Sequence, residues 1–139
     1  VPESTGGGAE EYAGPMGRLI EWAPVGTPEG DTVTLLVEHG LWTFEGADGT
    51  LLQLAWVLDE AGFAVEGTYL LPNRRAVGSS AEGVEVVATG AVDVWYGTFP
   101  DCVTVEVAAG DWAGTQVFAR DIGLVAATWQ GSWEAVYYE

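Results

Sequence analysis

The sequence predicts an all-β domain: a curved antiparallel sheet forming a half-barrel, barrel or sandwich of roughly ten short strands. Three observations carry this expectation. Apolar and polar residues alternate with period two, as in Val33, Leu35 and Val37 against Thr32, Thr34 and Glu38. Gly- and Asp-containing turn signals separate the alternating runs at the ~8–12-residue spacing of β-domains. No window sustains helical periodicity over about ten residues.

Taken in order, residues 1–15 are rich in Gly, Glu and Pro and lack periodicity, which reads as a flexible arm before a single β-domain over 16–139. Met16 to Trp22 is expected to form a first strand. The run from Val33 is followed by Leu41-Trp42-Thr43-Phe44, and Glu45-Gly46-Ala47-Asp48-Gly49-Thr50 supplies Asp-Gly turn chemistry. Leu52, Leu54, Trp56 and Leu58 line one face of the next strand. Asp59-Glu60-Ala61-Gly62 turns the chain into a strand that alternates from Phe63 to Tyr69. Pro72 to Gly83 reads as the longest internal loop. Alternation resumes at Val84–Val86, Val92–Val94 and Val103–Val107, and the last strands fall at Thr115–Ala119, Leu124–Trp129 and Trp133–Tyr138. Short sequential connections imply a mostly up-and-down order.

Charge and composition narrow the function classes. The chain has 139 residues and a net charge of -17, from 21 Asp and Glu against 4 Arg, with no Lys. A nucleic-acid interface needs a cationic footprint that four arginines do not supply, and an anionic membrane surface repels such a chain. Apolar residues at 48% exclude a solvated acidic tail, so the acids are expected on outward strand positions and turns around a dry core. At this length about 70% of the unfolded chain's surface is buried on folding. No apolar run approaches the roughly 20 residues of a membrane-spanning helix. A single cysteine, Cys102, excludes an internal disulfide and reads as a small buried hydrophobe. The opening Val1-Pro2-Glu3-Ser4-Thr5 before Gly6, Gly7 and Gly8 reads as the mature end of a processed chain or a piece of a longer one. A signal peptide with a lipid-attachment cysteine is one expected upstream sequence.

The C-terminal third carries a more specific pattern: Val94-Trp95-Tyr96-Gly97-Thr98-Phe99-Pro100-Asp101-Cys102-Val103, then Phe118-Ala119-Arg120-Asp121-Ile122-Gly123-Leu124-Val125, then Trp133–Tyr138. It resembles secreted and lipid-anchored bacterial envelope proteins of uncharacterised function. In these a Gly-Thr-Phe turn precedes a Cys-containing strand, and a Phe-Ala-x-x-Ile-Gly-Leu-Val segment precedes the final strand. Trp95-Tyr96 stands where that pattern has Pro-Ala. The resemblance implies an extracytoplasmic location (periplasm, outer membrane or cell surface) and a half-barrel-like fold, and it brings no catalytic residues.

Groups for catalysis are sparse. His39 is the sole imidazole and sits at a strand end beside Gly40. Ser79 and Ser80 are conceivable nucleophiles, but no Gly-x-Ser-x-Gly turn presents them. Carboxylate pairs are plentiful by chance alone, so a glycosidase is disfavoured. No cofactor is expected. Calcium would draw on turn acids such as Asp48, Asp59, Glu60, Asp101, Asp111 and Asp121, although no Asp-x-Asp-x-Asp-Gly loop occurs and no defined metal site is assigned. Among seven tryptophans, Trp56 and Trp129 are expected in the core. Trp42, Trp95, Tyr96, Trp112 and Trp133 lie near turns or polar neighbours and are the expected interface aromatics. Trp95 and Tyr96, as strand neighbours, should face opposite sides. Arg74-Arg75 in the long loop is the expected basic grip for an acidic partner or a sister copy.

The expectation for function is a non-enzymatic cell-envelope protein, a structural or accessory subunit of a larger surface assembly, with other envelope proteins as partners. The alternative is a carrier or binding module for an apolar molecule, such as a lipid or pigment, or for a glycan.

Overall fold

A computed structural model describes residues 8–139. It is an antiparallel meander of twelve strands: β1 (Leu19–Pro24), β2 (Val33–Glu38), β3 (Leu41–Gly46), β4 (Leu51–Leu58), β5 (Gly62–Val65), β6 (Thr68–Pro72), β7 (Ser80–Ala81), β8 (Val84–Val94), β9 (Gly97–Val107), β10 (Gly114–Ala119), β11 (Gly123–Thr128) and β12 (Ser132–Tyr138). The curved sheet is a nearly closed barrel. Its strand order is β6-β5-β4-β3-β2-β1-β12-β11-β10-β9-β8-β7. The first and last strands are therefore neighbours, paired from Ile20↔Tyr138 to Pro24↔Trp133, and the Leu19 and Glu139 amides exchange bonds with each other's carbonyls. The seam falls in mid-chain, between β6 and β7, where the sheet's two ends contact each other.

Two features raise the strand number above the expected ten. The run from Phe63 to Tyr69 is two strands, because Glu66 (φ 49°) and Gly67 (φ 83°) make a tight two-residue hairpin turn with both residues left-handed. The expected long loop also contains the short β7, paired with β8 across a second Glu-Gly turn at Glu82-Gly83. Trp95 and Tyr96 are likewise corrected: they are the turn of the β8–β9 hairpin and not strand residues.

The expected arm over 1–15 differs in its second half. Gly8–Ala13 forms the short helix α1, whose Ala9, Tyr12 and Ala13 are buried at i, i+3 and i+4. That apolar stripe meets β5 and β6 on one side of the seam and β10 and β11 on the other. Gly14 then lets the chain pass close to Gly123, where a Cβ would lie 3.4 Å from the facing Cα. Residues 1–7 of that expected arm lie outside the described residues.

The barrel interior is filled by rings. Trp22, Phe44, Trp42, Phe63 and Phe118 form a chain of contacts 5.3–6.4 Å between centroids, with Trp56 against Phe63. Trp112, brought in by the β9–β10 connection, packs on Trp42 and Phe44 and stacks on Trp129 at 5.5 Å. Trp42 and Trp112 are therefore core residues and not interface aromatics: both indoles are buried, and each large apolar side chain moved from water contributes about 1.5–3 kcal/mol. Gln116 is the one fully buried polar side chain among the described residues. Its amide donates to the Trp112 and Thr128 carbonyls and accepts from the Thr128 amide, which fixes the Trp112 plug without an orphaned group. Every described acid keeps solvent contact, as the alternation requires.

Gly62 gives a direct test of the β5–β6 hairpin that borders the seam. Its φ is 150°, and a Cβ there would lie 2.1 Å from the Leu71 carbonyl oxygen, backbone that has no room to yield. Gly67 is also left-handed, with nothing within 4 Å of an added Cβ. We expect Gly67→Ala to cost about 1 kcal/mol and Gly62→Ala about 3 kcal/mol or more in urea denaturation. Equal costs would show that the β5–β6 hairpin does not pack this closely.

Candidate functional site: the helix end and the hairpin tip

Because every neighbour is antiparallel, alternate turns fall at the same end of the barrel. The end that carries α1 also carries the β2–β3, β4–β5, β6–β7, β8–β9 and β10–β11 connections and the C-terminus. All four arginines lie there: Arg18 before β1, Arg74 and Arg75 after β6, and Arg120 after β10. The opposite end is built from turns that carry only acids among their charged residues.

Helix α1 is latched at this end by one charged cluster. Tyr12 donates its hydroxyl to Asp101 Oδ1 at 2.8 Å. Arg120 sets its guanidinium 5.6 Å from the Tyr12 ring centre, with Nε 2.9 Å from Asp101 Oδ2 and Nη2 3.2 Å from Glu11 Oε1. Arg75 approaches the same Glu11 oxygen at 3.8 Å. The main chain repeats the tie, with the Asp121 amide on the Glu11 carbonyl and the Arg120 amide on the Asp101 carbonyl. Burial, and then the bond to Asp101, hold the Tyr12 hydroxyl above its ordinary pKa, so it remains a donor across the physiological range.

The β8–β9 hairpin is the second component. Both strands are eleven residues long and outrun β10, which stops at Ala119 opposite Cys102. Ladder irregularities between Val86/Ala88 and Gly90/Val92 bend the hairpin. Its tip reaches β12, where the Tyr96 amide donates to the Ala135 carbonyl and the Trp95 amide to Glu134 Oε1. This is possible because the β11–β12 ladder covers only Ala126↔Glu134 to Thr128↔Ser132. Beyond it, the Leu124 carbonyl accepts from Trp22 Nε1 at 3.0 Å. Tyr96 stacks on Phe99 and packs against Tyr138, over which Arg18 lies at 5.0 Å. Trp95 is left 59% exposed at the extremity. A groove of about 350 Å³ runs beside the tip, lined by Tyr96, Phe99, Pro100, Arg120, Ile122 and Tyr138 among others.

The expected interface residues are thus dispersed. Trp95 and Tyr96 stay together at the surface. Trp133 is half-buried, with its indole donating to the Trp129 carbonyl. Arg74 and Arg75 separate: Arg75 turns to α1, whereas Arg74 lines an open cleft of about 900 Å³ at the seam with Asn73, Ser79, Ser80, Asp59 and Glu82. Sequence reasoning missed Tyr12, Arg120 and Glu11, because the helix that carries two of them is one and a half turns long. The i, i+3, i+4 spacing of Ala9, Tyr12 and Ala13 is the signal that was available.

Among the described residues no three His, Cys, Asp or Glu side chains converge as metal ligands. The turn acids are engaged locally: Asp48 accepts from the Thr50 amide, Asp59 from the Tyr69 hydroxyl and the Ala61 and Gly62 amides, and Asp101 from Tyr12. His39 is exposed at the β2–β3 turn, edge-on to Trp56. Cys102 is buried, and burial, followed by the nearby Asp101, pushes its pKa up to about 11.

Two measurements follow from these environments. With its pKa near 11, native Cys102 is about a thousandth thiolate at pH ~8, so a disulfide reagent should react at full stoichiometry only after denaturation. Rapid reaction of the folded protein would place the thiol at the surface. The Tyr69 hydroxyl, with the Ala61 and Gly62 amides, holds Asp59 below its ordinary value of 3.8. A carboxylate depressed in the folded state adds stability above that ordinary value and loses it as pH falls through the folded value. Asp59→Asn should therefore lower the melting temperature at neutral pH, with the gap to the unsubstituted protein closing below pH ~4. A gap that stays constant to low pH would mean the carboxylate charge plays no part.

No protein-family model, no curated protein and no solved structure matches this chain, so the arrangement at this end is interpreted from its own geometry.

Proposed function

We propose that this domain is a non-enzymatic docking module, an accessory subunit of an extracytoplasmic surface assembly, which meets a protein partner through the tip of the β8–β9 hairpin. The observation that carries the reading is Trp95. It holds the largest side chain at the surface, yet its backbone is fixed by the bond to Glu134 and by the adjoining Tyr96–Ala135 bond. An exposed indole on a preorganised turn loses little entropy when it is buried, and Trp and Tyr dominate the residues that carry binding energy at interfaces. Tyr96 and Tyr137, each 44% exposed, extend the aromatic surface. The assignment to the envelope rests on the acidic composition and on the sequence resemblance of the C-terminal third. The carrier alternative has less support, since the interior that an apolar cargo would need is taken up by rings in mutual contact.

The test is a photo-crosslinking residue at position 95 in cells of the native source. A discrete protein adduct is expected. Trp95→Ala should then weaken binding of that purified partner by about 30-fold, equivalent to ~2 kcal/mol, at unchanged melting temperature. If no adduct forms and Trp fluorescence instead shifts on titration with wall polysaccharide, the tip is a glycan platform and the docking reading fails.

A further inference from the structure

Strand β4 is the most exposed of the uncharged strands. Its eight residues, Leu-Leu-Gln-Leu-Ala-Trp-Val-Leu, carry no charge, and only Trp56 among them is buried. On one side it pairs with β3, from Leu51↔Glu45 to Ala55↔Leu41, with no bulge. The bounding bonds, Gly46 N–H to the Thr50 carbonyl and Trp56 N–H to the Gly40 carbonyl, show that even-numbered residues turn their main chain to β3. Odd-numbered residues turn theirs the other way. Ala55 accordingly donates to Glu66 Oε2 at 2.7 Å and accepts from the Glu66 amide at 2.8 Å.

Beyond Ala55 the wall stops. Strand β5 pairs with Trp56, Val57 and Leu58 alone, because the hairpin turn at Glu66-Gly67 sends the chain back after four residues. Among the described residues no strand pairs with Leu51 and Gln53 on the side away from β3, so two amides and two carbonyls form an open edge. Leu51 is 62% and Leu52 38% exposed beside it. Natural edges are usually guarded by shortness, a Lys, a Pro, a bulge or a charge pointing inward; the free stretch of β4 is short, and the strand has none of the other guards. The Glu66 carboxylate ends the edge by standing in for a strand carbonyl.

We propose that this edge is a strand-addition site for an extended, basic segment of another protein, with apolar side chains at alternate positions and Lys or Arg at its flanks. Charge selects that occupant. Glu45, Asp48 and Glu66 border the edge, and all four arginines lie at the opposite end of the barrel. Antiparallel pairing with a second copy would bring two such acidic sets together on chains that each carry -17. A cationic strand satisfies the free main-chain groups, covers Leu52 and Leu54 with its alternate side chains, and neutralises the acids at both ends.

The probes are labelled peptides Lys-X-Thr-X-Thr-X-Arg with X as Val, Ile or Leu, the same peptides with Glu at both ends, and versions N-methylated at alternate amides. Anisotropy titration of the whole chain should show saturable binding of at least one basic peptide. Binding should fall about tenfold or more on N-methylation, on Glu exchange, and at about 1 M salt, where the screening length is about 3 Å. Gln53→Pro removes an edge amide that the β3 ladder does not use, and Leu51→Lys places a guarding cation on the edge while leaving the main chain unchanged. Each should reduce binding about tenfold, with circular dichroism reporting the fold. Four outcomes overturn the proposal. They are failure of every basic peptide to bind, equal binding of the Glu-ended peptides, a concentration-dependent dimer that Leu51→Lys abolishes, and peptide binding that appears only after residues 1–7 are removed. The third gives the edge to a second copy and the fourth to the chain's own N-terminal residues.

Discussion

The pairing of β1 with β12 is the constraint on which the other features depend. A twelve-strand meander has two free ends, and joining the chain's first and last strands in one ladder moves the discontinuity to the middle of the sequence, at β6 and β7. The sheet therefore does not close by its own hydrogen bonds. It closes around what fills it: the ring column from Trp22 to Phe118, and α1 laid across the seam at one end. Long-range pairing of the two termini also means that much of the loop-closure entropy is lost before these contacts form, which favours slow folding.

The ring column has a second consequence. Aromatic side chains are wide and flat, so a barrel packed with them needs few positions to exclude water. The strands near the seam can therefore be short without opening the core. The β5–β6 hairpin covers its part of the interior with Phe63, Val65, Leu70 and Leu71, all buried, and stops after four- and five-residue strands. That economy leaves the first half of β4 without a neighbour on the side away from β3. The open edge is thus a product of how the barrel is filled.

Much of this was legible in the sequence, and the rest was hidden for identifiable reasons. Period-two alternation located most strands and the outward placement of the acids, because one buried face forces that pattern, but the ladder irregularities of β8 broke its eleven residues into two apparent runs and hid the start of β9 at Gly97. It did not separate β5 from β6, since Ala64 and Leu70 are buried on faces that alternation assigns differently and Glu66 occupies a left-handed position uncommon for its residue type. Trp42 and Trp112 read as surface residues because local neighbours are polar or turn-forming, yet the first points into the column and the second is carried in by the β9–β10 connection. The latch at α1 joins Glu11 and Tyr12 to Asp101 and Arg120, residues roughly 90 to 110 positions apart, a separation that no local pattern reports.

Electrostatics tie the two ends of the barrel together. A charge of -17 on so small a body is a standing repulsion, and the fold answers it unevenly. At the helix end the arginines are spent on local duties: Arg120 and Arg75 on Glu11, Arg18 on the Tyr138 ring and the Asp121 carbonyl. These arginines are engaged with groups of their own chain, so the hairpin tip presents rings, while Glu10, Glu38, Glu60 and Glu139 stay exposed at the same end. At the other end the turns carry no cation to offset their carboxylates, and the open β4 edge there offers main chain and leucine. The two proposed sites accordingly differ in chemistry: aromatic area at the hairpin tip, and main chain bordered by Glu45, Asp48 and Glu66 at the β4 edge. Both proposed sites follow from the same two causes, a core filled by rings and four arginines gathered at one end.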